Sequence, residues 1–512
     1  MRHARRIAVV GAFALAGLAG ASRPLPGAVA QEGHWPTHGW RRSSPEAQGM
    51  DSRVLSEAFD LIRQRKIAIH SLTIVRNGYL VLDAYFWPFQ DDLRHDVASV
   101  TKSVTSTLVG VAIGRHDLSG VTQPVLGLFG GRTVANRDAW KQGLTIEHLL
   151  TMTSGLDCHR EHGEITLSQM MGSPDWIQFM LDLPMVAEPG SRFEYCSGGM
   201  HLLSGVITQA TGMDALDFAR RELLGPLGIA RADWPADRQG ITHGWGDLHL
   251  QPRDMAKIGY LWLNGGRWEG RQLVPADWMR AAVQVHSHPG FSPGQEYGYG
   301  LWIYPERTPP EFEGLGRGGQ RISVVPAKNL VVIFTGGAFE PGDIGSFIGR
   351  AIKSDQRLPE DPTGSARLAA ALHKATRPPA AQPVAPAPAL AGLISGRSYA
   401  LDANSLDLES FVLTFPGGAE ARLQLELGDR RDALRPVGLD GVPRVSSNGR
   451  FGLPVAVSGA WESDSTFALD YDEVGNINRY RFRMTFVDDT VTVEFAEKSH
   501  ALGEARLRGR AR

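Results

Sequence analysis

At 512 residues the chain exceeds what one hydrophobic core ordinarily organises, so two or three domains are expected. Apolar residues make up 42% and charged residues 21%, which excludes a chain that is disordered or membrane-embedded throughout. A formal net charge of −2 gives no electrostatic footprint for nucleic acid; an enzyme for a small or neutral substrate fits better.

Arg2, His3, Arg5 and Arg6 precede an apolar run over 7–21, and Ala28-Val29-Ala30 supplies small residues before Gln31. This is the pattern of a cleaved export signal over 1–30, and a run of about 15 residues is shorter than the roughly 20 a spanning helix needs. An exported, periplasmic or secreted protein with no stable membrane span after cleavage is expected; an uncleaved anchor is the alternative. The chain has two cysteines, Cys158 and Cys196. In an exported chain that even count points to one disulfide, with two buried free thiols as the alternative.

Next come Leu72-Thr73-Ile74-Val75 and Leu80-Val81-Leu82, two β-branched-rich runs parted by Asn77-Gly78, a hairpin signal. Over 100–115 the apolar positions 100, 104, 108, 109 and 112 follow helical spacing, which puts Ser99 at a helix start. The stretch 144–278 reads as mostly helical, with helices at 145–150, 201–211 and 252–264. Strands return at 299–304, 321–325 and 330–335, and a last helix is expected over 345–354. Early and late strands around a helical middle imply one sheet built from both ends, within a first domain over 31–372. Pro378, Pro379, Pro383, Pro386 and Pro388 mark a Pro/Ala-rich linker over 373–390. Alternating runs at 411–415, 421–425, 466–469 and 491–495 then predict an antiparallel β domain over 391–512, a sandwich or barrel. The sixteen His are scattered and no metal-ligand spacing occurs, so neither metal nor organic cofactor is expected.

Chemistry concentrates in Ala98-Ser99-Val100-Thr101-Lys102, an S-x-x-K. Residues three apart in a first helical turn share a face, so the Lys102 amine can lie against the Ser99 hydroxyl. A serine is a weak nucleophile until such a base takes its proton. Alone the motif is weak. Here it is followed by Leu144-Thr145-Ile146-Glu147-His148-Leu149-Leu150-Thr151-Met152-Thr153-Ser154-Gly155-Leu156 and then by Glu188-Pro189-Gly190 and Tyr195-Cys196-Ser197.

With these motifs in this order the chain resembles the serine β-lactamase and penicillin-binding-protein superfamily, particularly class C enzymes and related esterases and 6-aminohexanoate-dimer hydrolases, over about 44–355. The resemblance implies an α/β (α+β) transpeptidase-like fold, an antiparallel sheet with flanking helices and a helical lobe. It further implies that Ser99 is acylated, that Tyr195 shares its proton with Lys102, and that Ser197 completes the network; as a serine before a helical segment, Ser197 is also a candidate N-cap. A Cys158–Cys196 bridge would brace Tyr195.

The family's third motif, usually K-T-G or a relative, departs here into Gly314-Leu315-Gly316-Arg317-Gly318-Gly319-Gln320. With Gly316 on the motif's glycine, the Arg317 N–H joins that of Ser99 in the oxyanion hole; in the other register Arg317 takes the cationic position. Gly316 and Gly318 suit a strand that substrate approaches closely, and Trp245, in His243-Gly244-Trp245-Gly246-Asp247, is a candidate substrate contact. Loss of the third-motif lysine favours small esters or amides over penicillins. A β-lactamase or DD-carboxypeptidase is the alternative, and a non-catalytic binding protein a second.

Overall fold

The computed structural model describes residues 34–158, 165–428, 430–499 and 503–512; the expected export signal over 1–30 lies outside them. Seven strands form the first sheet: β1 (Ile69–Arg76), β2 (Tyr79–Tyr85), β3 (Glu296–Tyr297), β4 (Trp302–Tyr304), β5 (Glu311–Gly316), β6 (Gln320–Val325) and β7 (Leu330–Gly336). Their order is β2-β1-β7-β6-β5-β4-β3, antiparallel throughout, so strands from both ends of the domain share one sheet. Asn77 and Gly78 turn the β1–β2 hairpin with φ of 52° and 78°, the left-handed pair that suits a tight hairpin. The expected strand over 299–304 shortens to Trp302–Tyr304, because Gly300 turns with φ 67° and its N–H leaves the sheet for the Leu150 carbonyl, 3.1 Å away.

Six helices support the site: α1 (Ser52–Arg65), α2 (Val100–Gly114), α3 (Ser197–Thr211), α4 (Pro252–Leu263), α5 (Gly342–Ala351) and α6 (Pro362–Ala375). Along β7, Leu330, Val332 and Phe334 belong to one core and Val331 and Ile333 to another, so the sheet is buried on both faces. The first core is completed by α1, α5 and α6, the second by α2, α4 and the helical lobe. α1 begins where the Asp51 side chain accepts from the Arg53 and Val54 N–H groups, and it buries Leu55, Phe59 and Ile62. α6 overlaps the first residues of the expected linker, since Asp361 caps it and Pro362 suits its first turn.

α2 is buried from Val100 to Ala112, although five of these residues are Ser or Thr. Its hydroxyls hold the neighbouring loops: Ser103 donates to Gly300 O (2.6 Å), Ser106 to Tyr299 O (2.7 Å) and Thr105 to Gly244 O (2.8 Å). Each bond is worth roughly 1 kcal/mol, and their larger effect is to fix the loops that flank Ser99.

The C-terminal part is a closed barrel of β8 (Ser398–Leu401), β9 (Leu408–Thr414), β10 (Glu420–Leu427), β11 (Arg435–Gly438), β12 (Val455–Trp461), β13 (Thr466–Glu473), β14 (Arg479–Val487), β15 (Thr490–Glu497) and β16 (Glu504–Ala511). The order is β9-β8-β16-β15-β14-β13-β12-β11-β10, and β9 pairs with β10 to remove the edges. One contact departs from the expected antiparallel pattern: Gly438 and Ser458 join β11 to β12 in parallel. Phe482, Met484 and Phe486 on β14 and Val491, Val493 and Phe495 on β15 alternate into the barrel core.

The barrel packs on the first domain. Ala456 and Val474 form a small core with Tyr85 and Phe89, and the Asp96 N–H donates to Gly475 O at 2.8 Å. Gly475 has φ 83°, and a Cβ there would lie 2.6 Å from the Arg94 carbonyl oxygen, so only glycine permits this approach.

Candidate active site

Ser99 occupies the N-cap position of α2. Ala98 before it has φ 47°, a left-handed conformation costing of order 1 kcal/mol for a residue with a Cβ. Asp96 holds it there by accepting the Ala98 N–H at 2.8 Å. Ser99 thus stands on a sharp turn into a buried helix.

One turn on, Lys102 is 1% exposed, and its Nζ donates to Ser99 Oγ at 2.8 Å and to Trp245 O at 3.0 Å. The same Nζ lies 4.8 Å from the centroid of the Tyr195 ring, which stacks on Trp302 with centroids 6.1 Å apart. Tyr195 is set by its neighbours. Cys196 bonds to Cys158 as a disulfide with Cα atoms 5.7 Å apart, and the Glu194 N–H donates to Met152 O at 2.7 Å. Cys196, rather than Ser197, is the N-cap of α3, with the Gly199 N–H directed at its sulfur (3.3 Å); Ser197 is the first helical residue and is buried.

β5 runs past the start of α2. A Cβ at Gly316 would lie 2.5 Å from Val97 O and 3.1 Å from Ala98 Cβ; one at Gly314 would lie 3.1 Å from Ser103 Oγ. Arg317 then opens a turn in which Gly318 and Gly319 have φ of 82° and 95°. Gln320 ties this turn to β7, donating to Arg317 O (3.1 Å) and Gly336 O (2.6 Å) and accepting from the Gly336 N–H (3.0 Å).

These elements surround a cavity of about 660 Å³. Its apolar lining is Leu167, Tyr195, Trp245, Phe291, Trp302 and Leu315; its polar lining is Ser99, Ser197, Gln295 and the charged groups of Asp96, Asp247, Arg317, Arg321 and Glu340. Burial raises the Asp96 carboxyl above the ordinary carboxylate range; the nearby Asp247 pushes the same way and His249 opposes. Asp247 goes the other way. Burial alone would raise it, but a 2.8 Å bond from His243 and the charges of His243 and Arg450 hold it below the ordinary range.

Ser99, Lys102, Tyr195, Ser197, Trp245 and Arg317 therefore converge on one cleft, while Gly316 packs under Ala98 and Gly318 against Ile477 of the barrel. Of the other aromatics, Trp176 lies behind Trp245, Tyr297 packs edge-on against Trp302, and Tyr299 donates to Glu147 (2.6 Å) away from the cleft. Of Asp96, Asp247, Arg321 and Glu340, which sequence reasoning missed, only Asp96 left a trace in the sequence. The one available signal was an Asp two residues before Ala98, placed to bond a turn. Among the described residues, no group of three or more His, Cys, Asp or Glu could hold a metal ion.

Comparison with known proteins places the fold in a family. The family model described as Beta-lactamase matches residues 47–346. The 6-aminohexanoate-dimer hydrolase of Paenarthrobacter ureafaciens is 23% identical over 296 residues, covering 53% of this chain and 73% of that protein. Among solved structures, a putative 6-aminohexanoate-dimer hydrolase from Bacillus anthracis aligns with a TM-score of 0.50 at 21% identity, over 61% of this chain and 85% of that one. EstCE1, a hydrolase with promiscuous acyltransferase activity, aligns with a TM-score of 0.50 at 16% identity, over 59% of this chain and 99% of that one. At these identities the structural likeness speaks for the fold.

Proposed function

Because the chain belongs to the Beta-lactamase family, a family of serine hydrolases, we propose that it is an exported acyl-transfer hydrolase of small esters or amides, with Ser99 as nucleophile. The observation that carries this reading is the 2.8 Å bond from the buried Lys102 Nζ to Ser99 Oγ, with the Tyr195 ring against the same nitrogen.

In this mechanism Ser99 Oγ attacks the substrate carbonyl as Lys102 and Tyr195 take up its proton. The oxyanion receives the N–H groups of Ser99 and Arg317, each such donor being worth roughly 3 kcal/mol. The close approach of Gly316 to Val97 and Ala98 supports the register in which Arg317 follows the motif's glycine. The proton passes to the leaving alcohol or amine, and water activated by the same pair hydrolyses the acyl-enzyme. A cavity that is apolar around Trp245 and Trp302 and charged around Asp247 and Arg321 suits a small acyl group with a polar end. The relatives named as 6-aminohexanoate-dimer hydrolases support amides as one substrate class.

The test is turnover of p-nitrophenyl butyrate, nitrocefin and a 6-aminohexanoate dimer by wild type and Ser99→Ala. Ester or amide turnover that disappears in the variant is expected. Dominant nitrocefin turnover would replace the reading with a β-lactamase, and equal turnover in both proteins would end it.

A further inference from the structure

We propose that the C-terminal barrel completes the oxyanion side of the site, with Asn478 and Ser499 as positioning residues that hold Arg317. The guanidinium of Arg317 donates through Nη2 to Asn478 Oδ1 at 3.0 Å and through Nη1 to Ser499 Oγ. Both acceptors are themselves fixed: Asn478 Nδ2 donates to the Tyr480 hydroxyl (3.0 Å), and the Ser499 N–H donates to Glu497 Oε1 (2.8 Å). Next to Arg317, a Cβ on Gly318 would lie 2.4 Å from Ile477 Cγ2, so the barrel also closes over the turn.

A turn with two successive left-handed glycines has little stiffness of its own. Gln320 restrains it from the sheet, and Ile477, Asn478 and Ser499 restrain it from the barrel. The loop between β13 and β14 reaches the other donor too. Gly475 O accepts the Asp96 N–H (2.8 Å) in the segment that leads into Ser99, and Asn476 Oδ1 meets His249 Nε2 at 3.1 Å. One hairpin thereby sets the segments carrying Ser99 and Arg317 relative to each other, and an error of about 1 Å between two such donors costs up to about a hundredfold in rate.

The inference rests on Arg317 being the second oxyanion donor. Its test is kcat and KM for p-nitrophenyl butyrate, and the rate of Ser99 labelling by a fluorophosphonate, in full-length wild type, Asn478→Ala/Ser499→Ala and Asn478→Asp. Each protein is checked for its thermal transition. Tenfold or so lower kcat and labelling with KM within about twofold is expected for the Ala pair, and a smaller loss for Asn478→Asp, which keeps the acceptor oxygen for Arg317 but gives up the donor to Tyr480. Added to Arg317→Ala, the Ala pair should cause no further loss, because a residue acting only through Arg317 shows no effect once that side chain is gone. Wild-type kcat in the Ala pair, or a full additional loss on Arg317→Ala, overturns the proposal. If wild type neither turns over nor labels, the hydrolase reading fails instead. Hydrogen exchange of residues 314–320 then decides the clamp: faster exchange in the Ala pair upholds it and unchanged exchange overturns it.

Discussion

Lys102 shows how much one side chain organises. Its Nζ joins the Ser99 hydroxyl, the Trp245 carbonyl and the face of Tyr195 inside a helix with almost no solvent. Lys102→Met keeps the volume and removes the amine, so the fold should survive while turnover of an ester substrate falls by about 10²–10⁴-fold. Circular dichroism beside kcat checks both halves, and a rate within tenfold of wild type would remove Lys102 from the proton path. A second test concerns His95, fully buried against the Phe89 ring. Its Nδ1–H donates to Asp96 O (2.7 Å), leaving Nε2 to accept from His70 Nδ1 (2.8 Å). Burial, reinforced by His249, pushes His95 down to about 3 against the Asp96 carbonyl's opposing pull. In the unfolded chain it protonates near 6.5, so below that pH the unfolded state gains a proton that the folded state refuses. Stability therefore falls on acidification, by about 1.4 kcal/mol per pH unit from this group. Urea unfolding at about pH 7.5 and about pH 5.5 should show a smaller loss for His95→Gln, which can make the same two bonds; an equal loss would clear His95 of the effect.

At the scale of elements, the approach of β5 to α2 is the contact most sensitive to a single atom. Gly316→Ala would set a Cβ against the backbone oxygen of Val97, which cannot swing aside as a side chain can. Both the thermal midpoint and the Ser99 labelling rate should drop. Gly345→Ala on α5 makes the comparison, because nothing lies within 4 Å of its Cβ position, and helix propensity predicts a gain of about 0.5–1 kcal/mol. A Gly316→Ala protein with unchanged stability and labelling would mean that β5 and α2 shift apart at no cost. Legibility also differed by element. The β1–β2 hairpin carried Asn77-Gly78, and α2 carried its apolar spacing. α1 is absent from the sequence reading although Asp51 caps it and Leu55, Phe59 and Ile62 share a face, and the prolines on both sides of α6 obscure it.

For the whole molecule, the disulfide and the barrel join segments far apart in sequence. Cys158 and Cys196 are separated by 38 residues, and closing a loop of that length in the unfolded chain is worth about 3–4 kcal/mol. Denaturant unfolding of Cys158→Ala/Cys196→Ala should show a loss of that order; a loss below about 1 kcal/mol would mean that the bonds of Glu194 and Gly190 to the 152–153 segment already supply the restraint. No helix among the described residues is long and apolar enough to cross a membrane.

By itself the sequence determined whatever depends on near neighbours: Ser99 one helical turn before Lys102, the Asn-Gly hairpin, the glycines of β5, and the alternating strands of a β domain. Chemistry that a motif must perform within a few residues leaves its mark in spacing. Only the tertiary structure decided that Asp96 and Asp247 face the cleft together and that Asn478 and Ser499 grip Arg317. Those arrangements join residues up to 182 positions apart, and such separations carry no periodicity, because they are set by how distant segments pack together rather than by any local preference of the chain.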